Sequence, residues 1–251
     1  MGVWLGPRGL PKQKKPPAFT YTGQYELLTD TRADGTVDWE LICKTSGTLT
    51  FSRVVDTVDM FLVGGGKPGT SGTYSGAWSS GYARGGNGGH GGQCVTKYGK
   101  AVSAGVPYAI TVGDSNEATT ALGETATSGG GSAPSNGAYE NASNMTRTAA
   151  SPAATQGTTS FLALWGVGTK YGPGGGGGAA SAGTLGGSAS SSGAATGGGK
   201  GGTSSHRKGY NGAANTGAGG GGGFAINTQS DVDYGTGGAG GSGLVAFRNA
   251  R

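Results

Sequence analysis

Side chains that carry chemistry are scarce in this chain. Its 251 residues include two histidines, two cysteines and only 12% charged residues. Cys43 and Cys94 are too few for a disulfide framework. They either pair in an oxidising compartment or stay as small buried hydrophobes, and the second reading is the simpler. His90 stands inside a glycine tract, where a spacer explains it better than a general base does. No G-x-S-x-G sequence has the context of a nucleophile elbow, and Gly240-Gly-Ser242-Gly243 misses the spacing. A phosphate loop fails as well. Gly199-Lys200 is followed by Gly201 where Ser or Thr is needed, and Ala194 stands where the first glycine belongs. Gly217-Ala-Gly219-Gly-Gly-Gly222 matches a dinucleotide fingerprint only because glycine is dense there. Asp231 and Asp233 offer oxygens to a calcium ion, but no third acid sits at loop spacing, so a solvated turn is favoured. These gaps lead us to expect no catalytic residue, no cofactor and no metal, and hence no enzyme.

Long apolar runs are missing too. Hydrophobic residues make up 33% of the chain, and no run is long enough to cross a bilayer. Met1–Leu10 has no apolar stretch of the signal-peptide kind. That fits a product made in a bacterial cytoplasm and released by lysis. The formal net charge is +5, thinly spread. Its densest basic run, Lys12-Gln-Lys14-Lys15, has no aromatic residue interleaved, so a solvated tail is favoured over a nucleic-acid arm.

Glycine is what the chain has instead. Of its 59 glycines, 53 follow residue 63. They form tracts at Gly64–Gly66, Gly85–Gly92, Gly129–Gly131, Gly172–Gly178, Gly197–Gly202, Gly217–Gly223 and Gly235–Gly243. Glycine this dense weakens helices and strands, because it loses the most backbone entropy and packs no side chain. One reading is a flexible low-complexity segment. The other is an ordered bundle of polyglycine II helices. Such helices have three residues per turn and no internal hydrogen bonds, so their amides and carbonyls must find partners outside. The tracts alternate with apolar, strand-like pieces, and the chain ends in one, Leu244-Val-Ala-Phe247. Both facts favour order.

The fold expected is mainly β: a small antiparallel β-sandwich plus a bundle of polyglycine II helices, with essentially no α-helix. Residues 1–17 read as an extended N-terminal linker or attachment segment. Residues 18–63 read as short strands with turns at Asp34-Gly35 and Ser46-Gly47. Residues 64–251 read as the glycine-rich bundle. Interleaved pieces at Gln93–Tyr98, Tyr108–Val112, Ser160–Trp165 and Leu244–Arg248 are expected to complete the sandwich. Between the tracts lie excursions with distinct tips: Thr70–Arg84, Pro134–Gln156, Ala179–Thr196, Thr203–Thr216 and Phe224–Tyr234.

The order of these pieces resembles a known family. It runs Thr48-Leu-Thr-Phe51, Val58-Asp-Met-Phe-Leu-Val-Gly-Gly-Gly66, Gly89-His-Gly-Gly-Gln-Cys-Val95, Val106-Pro-Tyr-Ala-Ile-Thr-Val-Gly113, Thr158-Thr-Ser-Phe161, and finally Gly240-Gly-Ser-Gly-Leu-Val-Ala-Phe247. This resembles the glycine-rich domain of phage and prophage tail-fibre proteins, over about residues 38–250. It is similar too to the glycine-rich extracellular domain of anaplastic-lymphoma-type receptor kinases. The chain departs from an unbroken first tract at Lys67-Pro68. The resemblance implies a non-enzymatic host-attachment module in the virion, at a fibre tip. Its partner would be a bacterial surface receptor, either a polysaccharide or an outer surface protein. Residues 1–17 would contact a tail-fibre or baseplate protein. The alternative is a glycine-rich extracellular structural or ligand-sensing module.

The excursion tips are the candidate binding surface. Tyr and Trp offer broad, rigid contact area with a polar handle. Tyr74, Trp78 and Tyr82 share one excursion, where they either recognise a ligand or fold back to cap the bundle. Tyr139, Arg207, Tyr210 and Tyr234 complete the set of expected receptor-binding residues.

Overall fold

The structure, a computed structural model, describes residues 17–31, 33, 35, 37–53, 57–77, 81–129, 139–141, 146–148, 171, 175, 180–182, 198–227 and 232–250. The expected strand at Ser160–Trp165 and the linker up to residue 16 lie outside these residues. Among the described residues there are strands but no helix.

The strands that build the main body are β1 (Phe19–Tyr21), β2 (Tyr25–Thr31), β3 (Val37–Cys43), β4 (Gly47–Phe51) and β5 (Thr57–Val63). Two short strands follow, β6 (Thr73–Ser75) and β7 (Tyr82–Arg84). The chain then returns to the body with β8 (Cys94–Ala101), β9 (Pro107–Thr111), β10 (Thr119–Ala121) and β11 (Glu124–Ala126). The remaining strands are β12 (Tyr139–Asn141), β13 (Thr146–Thr148), β14 (Ala180–Ala182), β15 (Ala225–Asn227), β16 (Val232–Tyr234) and β17 (Leu244–Asn249).

Two five-stranded antiparallel sheets share an apolar core. One has the order β2-β3-β17-β5-β8 and the other β1-β4-β9-β10-β11. Alternation along each strand sends every second side chain into the space between them. That space is filled by Trp39, Leu41 and Cys43 from β3, Leu49 and Phe51 from β4, Val58, Met60 and Leu62 from β5, Ile110 from β9, and Val245 and Phe247 from β17. A buried side chain of this size contributes roughly 1.5–3 kcal/mol. The second face of the first sheet is covered as well: Phe61, Val63, Leu244 and Ala246 pack with Tyr171. Burial on both faces explains why Met60–Val63 and Leu244–Phe247 are continuous apolar runs rather than alternating ones. The same face holds a buried ion pair, with Arg248 Nε 3.3 Å from Asp59 Oδ2.

Cys43 and Cys94 are free thiols. Cys43 belongs to the shared core, and Cys94 packs against the cluster on the opposite face of the sheet. Burial pushes both thiols from their ordinary 9.0 up to about 12.

Among the described residues the glycine tracts leave this body as six extended segments, at 64–72, 85–93, 198–202, 207–213, 217–224 and 235–243, and buried Gly175 of a further tract donates to Gly89 O at 2.8 Å. They are joined laterally by backbone hydrogen bonds that recur every third residue. The amides of Gly86, Gly89 and Gly92 donate to the carbonyls of Gly223, Gly220 and Gly217, at 2.7–2.8 Å. Those of Gly66, Gly69 and Gly72 donate to Gly241, Gly238 and Gly235, at 2.9–3.0 Å. Those of Gly235, Gly238 and Gly241 donate in turn to Phe224, Gly221 and Ala218, at 2.7–2.8 Å.

Segment 217–224 lies at the centre and is buried throughout. It exchanges hydrogen bonds with all five of the other segments: with Lys67 and Thr70, with Gly86–Gly92, with Gly199 and Gly202, with Arg207 and Tyr210, and with Gly235–Gly241. Such contact requires that nothing project between the backbones. A Cβ built on Gly220 would lie 2.0 Å from Gly238 O, and one on Gly221 1.8 Å from Lys200 O. Segments on the outside carry side chains in phase with the same period. In 85–93 these are Asn87, His90 and Gln93; in 235–243 they are Thr236, Ala239 and Ser242. In 64–72 the positions beyond Gly66 that point inward are Gly69 and Gly72, while Lys67, Pro68, Thr70 and Ser71 are exposed, so Lys67-Pro68 continues the pattern of a segment at the edge.

Gly220→Val should destabilise the protein by about 3 kcal/mol or more, since the backbones have no room to part. Ala239→Val, at an exposed position of an outer segment, should stay within about 0.5 kcal/mol. Chemical denaturation of both variants checks this. For the cysteines, iodoacetamide at pH 8 should leave Cys43 and Cys94 unmodified in the folded protein and alkylate both after denaturation. Their raised pKa makes the buried thiols resist ionisation, so their contribution to stability is complete below about pH 9 and is lost as pH rises towards 12.

Candidate functional site

The segments have a polarity that defines the site. At one end they join the five-stranded sheets, where a short loop closes the bundle. There Gly65 N donates to Glu117 O at 2.9 Å, Asn116 N to Gly66 O at 2.8 Å, and Gly240 N to Ser115 Oγ at 2.8 Å. At the other end the same segments run into two small sheets. One has the order β13-β12-β7-β6 and the other β14-β15-β16. Excursions that are far apart in sequence therefore meet at this far end.

Strands β6 and β7 pair as antiparallel neighbours, and just after β6 Gly76 takes a φ of 81° that favours glycine. Buried Phe224 leads segment 217–224 into β15. The two small sheets are tied by Asn227, which is buried. Its Nδ2 donates to Ser75 O at 3.2 Å and to Gly76 O at 3.4 Å, while its Oδ1 has no partner among the described residues. The rings of Tyr74 and Tyr234 meet across the sheets, with centroids 6.0 Å apart and planes inclined by 50°. Arg207 Nη1 pairs with Asp233 Oδ2, and Asp233 Oδ1 accepts from Tyr234 N at 2.6 Å. This ion pair is more than a third exposed, and an exposed pair contributes about 0–1 kcal/mol. Its role is therefore to fix where Arg207 points.

Of the residues singled out in the sequence, the structure brings Tyr74, Tyr82, Arg207 and Tyr234 to this end. Tyr74, Tyr82 and Tyr234 are 38%, 37% and 51% exposed, so none is a buried cap. Tyr139 opens β12 in register with Arg84. Trp78 and Asp231 lie outside the described residues. Tyr210 is not at the tip. The turn of its excursion at this end is Thr203–His206, where Thr203 N donates to His206 O at 2.8 Å. Tyr210 already belongs to segment 207–213: its amide donates to Lys200 O at 2.9 Å and its carbonyl accepts from Gly221 at 2.8 Å. Its ring is 44% exposed on the flank and stacks on His206 with centroids 4.2 Å apart.

Arg84 was not among the residues expected from sequence. It is the last side chain before the glycines of segment 85–93, so it stands where bundle and hairpin join. A cation immediately preceding a glycine tract was the available signal.

Comparison of the chain with protein-family models, with curated proteins and with solved structures finds no match.

Proposed function

We propose that the six glycine segments are polyglycine II helices, and that they form a rigid stalk between a β-sandwich and a recognition surface. On this reading the protein is a non-enzymatic receptor-binding module of a phage or prophage tail fibre. It recognises a bacterial surface ligand, a polysaccharide or an outer surface protein. Attachment to a fibre or baseplate partner would run through residues 1–17.

The observation that carries the reading is the gathering of exposed aromatics at the end remote from the sheets. A polyproline-II-type helix rises 3.1 Å per residue, so Gly66–Gly72 spans about 19 Å. The sheets and their core are thereby held well away from Tyr74, Tyr82 and Tyr234. Function concentrates where loops vary without disturbing the scaffold, and this tip is built from short strands and turns on a stiff support. Aromatic rings presented on such a support need little further ordering on binding.

Purified protein bearing a fluorescent label should adsorb to some bacterial strains and not others within a panel of differing surface chemistry. A Tyr74→Ala, Tyr234→Ala double variant should keep its melting temperature within a few degrees, because neither ring is buried. It should bind the positive strains roughly thirtyfold more weakly, the equivalent of about 2 kcal/mol. Undiminished adsorption by that variant would remove the tip as the recognition surface. Adsorption without any strain preference would favour a structural module instead.

A further inference from the structure

Beside the tip, on the flank of the bundle, lies a groove of about 270 Å³. Thr70 and Ser71 line one side, Asn87 the other, and Thr73 and Arg84 the end nearest the hairpin. Gly85 and Gly86 complete the lining and add no side chain to it. The walls are clipped together. Thr70 N donates to Asn87 O at 2.9 Å, and Asn87 N donates to Thr70 Oγ1 at 2.8 Å. A Cβ on Gly86 would lie 1.9 Å from Thr70 O, so the two backbones touch and the groove cannot close further.

The chemistry of this lining is selective. It contains hydroxyls, an amide and a guanidinium, with no large apolar side chain. Among the described residues, no acid pairs with Arg84 and no partner occupies the hydroxyls of Ser71 and Thr73. Arg207, by contrast, is tied to Asp233. Register places Thr73 opposite Arg84 and Ser75 opposite Tyr82. Because side chains alternate, Tyr82, which stands just outside the groove's lining, shares a face of the hairpin with Arg84, about 7 Å further along the strand. An aromatic ring beside a guanidinium and a row of hydroxyls matches a pyranose that carries an acid group. The ring offers a face to the sugar's C–H edge, the hydroxyls and amide exchange hydrogen bonds with its hydroxyls, and the guanidinium forks onto the acid's oxygens. The volume lies just below the roughly 300–1,000 Å³ of drug-sized sites, which suits one sugar unit.

We infer that this groove binds a single anionic sugar unit of a surface polysaccharide, with Arg84 as the group that selects its charge. The inference rests on the receptor-binding reading and narrows its ligand. The anion is a carboxylate if the unit is a uronic acid, or a phosphate if it is a phosphorylated hexose.

Calorimetric titration of the full-length protein tests this with three probes: a galacturonate trimer, a neutral galactose trimer, and galactose 6-phosphate. An anionic probe should bind about tenfold more tightly than the neutral trimer, and Arg84→Gln should abolish that preference. Arg84→Lys should keep part of it, since it retains the charge and loses the fork. Whichever anionic probe shows the dependence on Arg84 identifies the acid group. Equal affinity for anionic and neutral probes, or a preference that survives Arg84→Gln, overturns the inference. Strain-selective adsorption that depends on Tyr74 and Tyr234, together with no anionic preference, would leave the receptor-binding reading standing and remove the sugar groove alone.

Discussion

Everything in this molecule depends on backbones approaching one another with nothing between them. Along these segments the lateral hydrogen bonds recur every third residue, so successive residues find their partners on different neighbours. Segment 217–224 shows the consequence. Its residues 217, 220 and 223 accept from segment 85–93, residues 218, 221 and 224 accept from segment 235–243, and residues 219 and 222 accept from Gly199 and Gly202. A single methyl group added at any of Gly219–Gly223 would lie 1.8–2.0 Å from a neighbouring backbone oxygen and displace that chain. Lateral backbone hydrogen bonds, rather than an apolar interior, therefore hold this half of the protein.

That constraint also arranges the rest. Segments bonded in this way are fixed in register, so their ends are fixed too. At one end they deliver β17 into place between β3 and β5, and at the other they bring β6, β7, β15 and β16 together. The tip can then differ in its side chains without altering the support. Phe224 and Asn227 mark the transition: the first is buried beyond the last glycine of the central segment, and the second binds the backbone of the neighbouring hairpin.

Much of the strand content was legible in the sequence. Tyr108–Thr111, Val58–Val63 and Leu244–Phe247 are in strands because their side chains either alternate or are buried on both faces. The order of strands in the sheets was not legible, since β17 pairs with strands about 180–210 residues earlier and no local signal encodes such a partner. Within the glycine tracts, the informative feature was the phase of the interruptions. Asn87, His90 and Gln93 recur at intervals of three because only one face of that segment meets solvent. Lys67-Pro68 looks like a break in a tract, yet it occupies the two outward positions of a segment whose inward glycines continue undisturbed. The site was legible in part. Tyr74, Tyr82 and Tyr234 reach the tip as excursion residues should, whereas Tyr210 does not, because hydrogen bonding to Lys200 and Gly221 recruits it into the bundle. Arg84 escaped notice because a lone cation beside glycines has no motif of its own.

Side-chain-free backbones in this protein are ordered by hydrogen bonds to their neighbours. Hydrogen exchange measured amide by amide over residues 217–224 tests it most directly. The account predicts that these glycine amides exchange as slowly as those of the core strands β5 and β17, opening only when the protein unfolds. Exchange there at the rate of an unstructured glycine-rich chain, with β5 and β17 still protected, would contradict it.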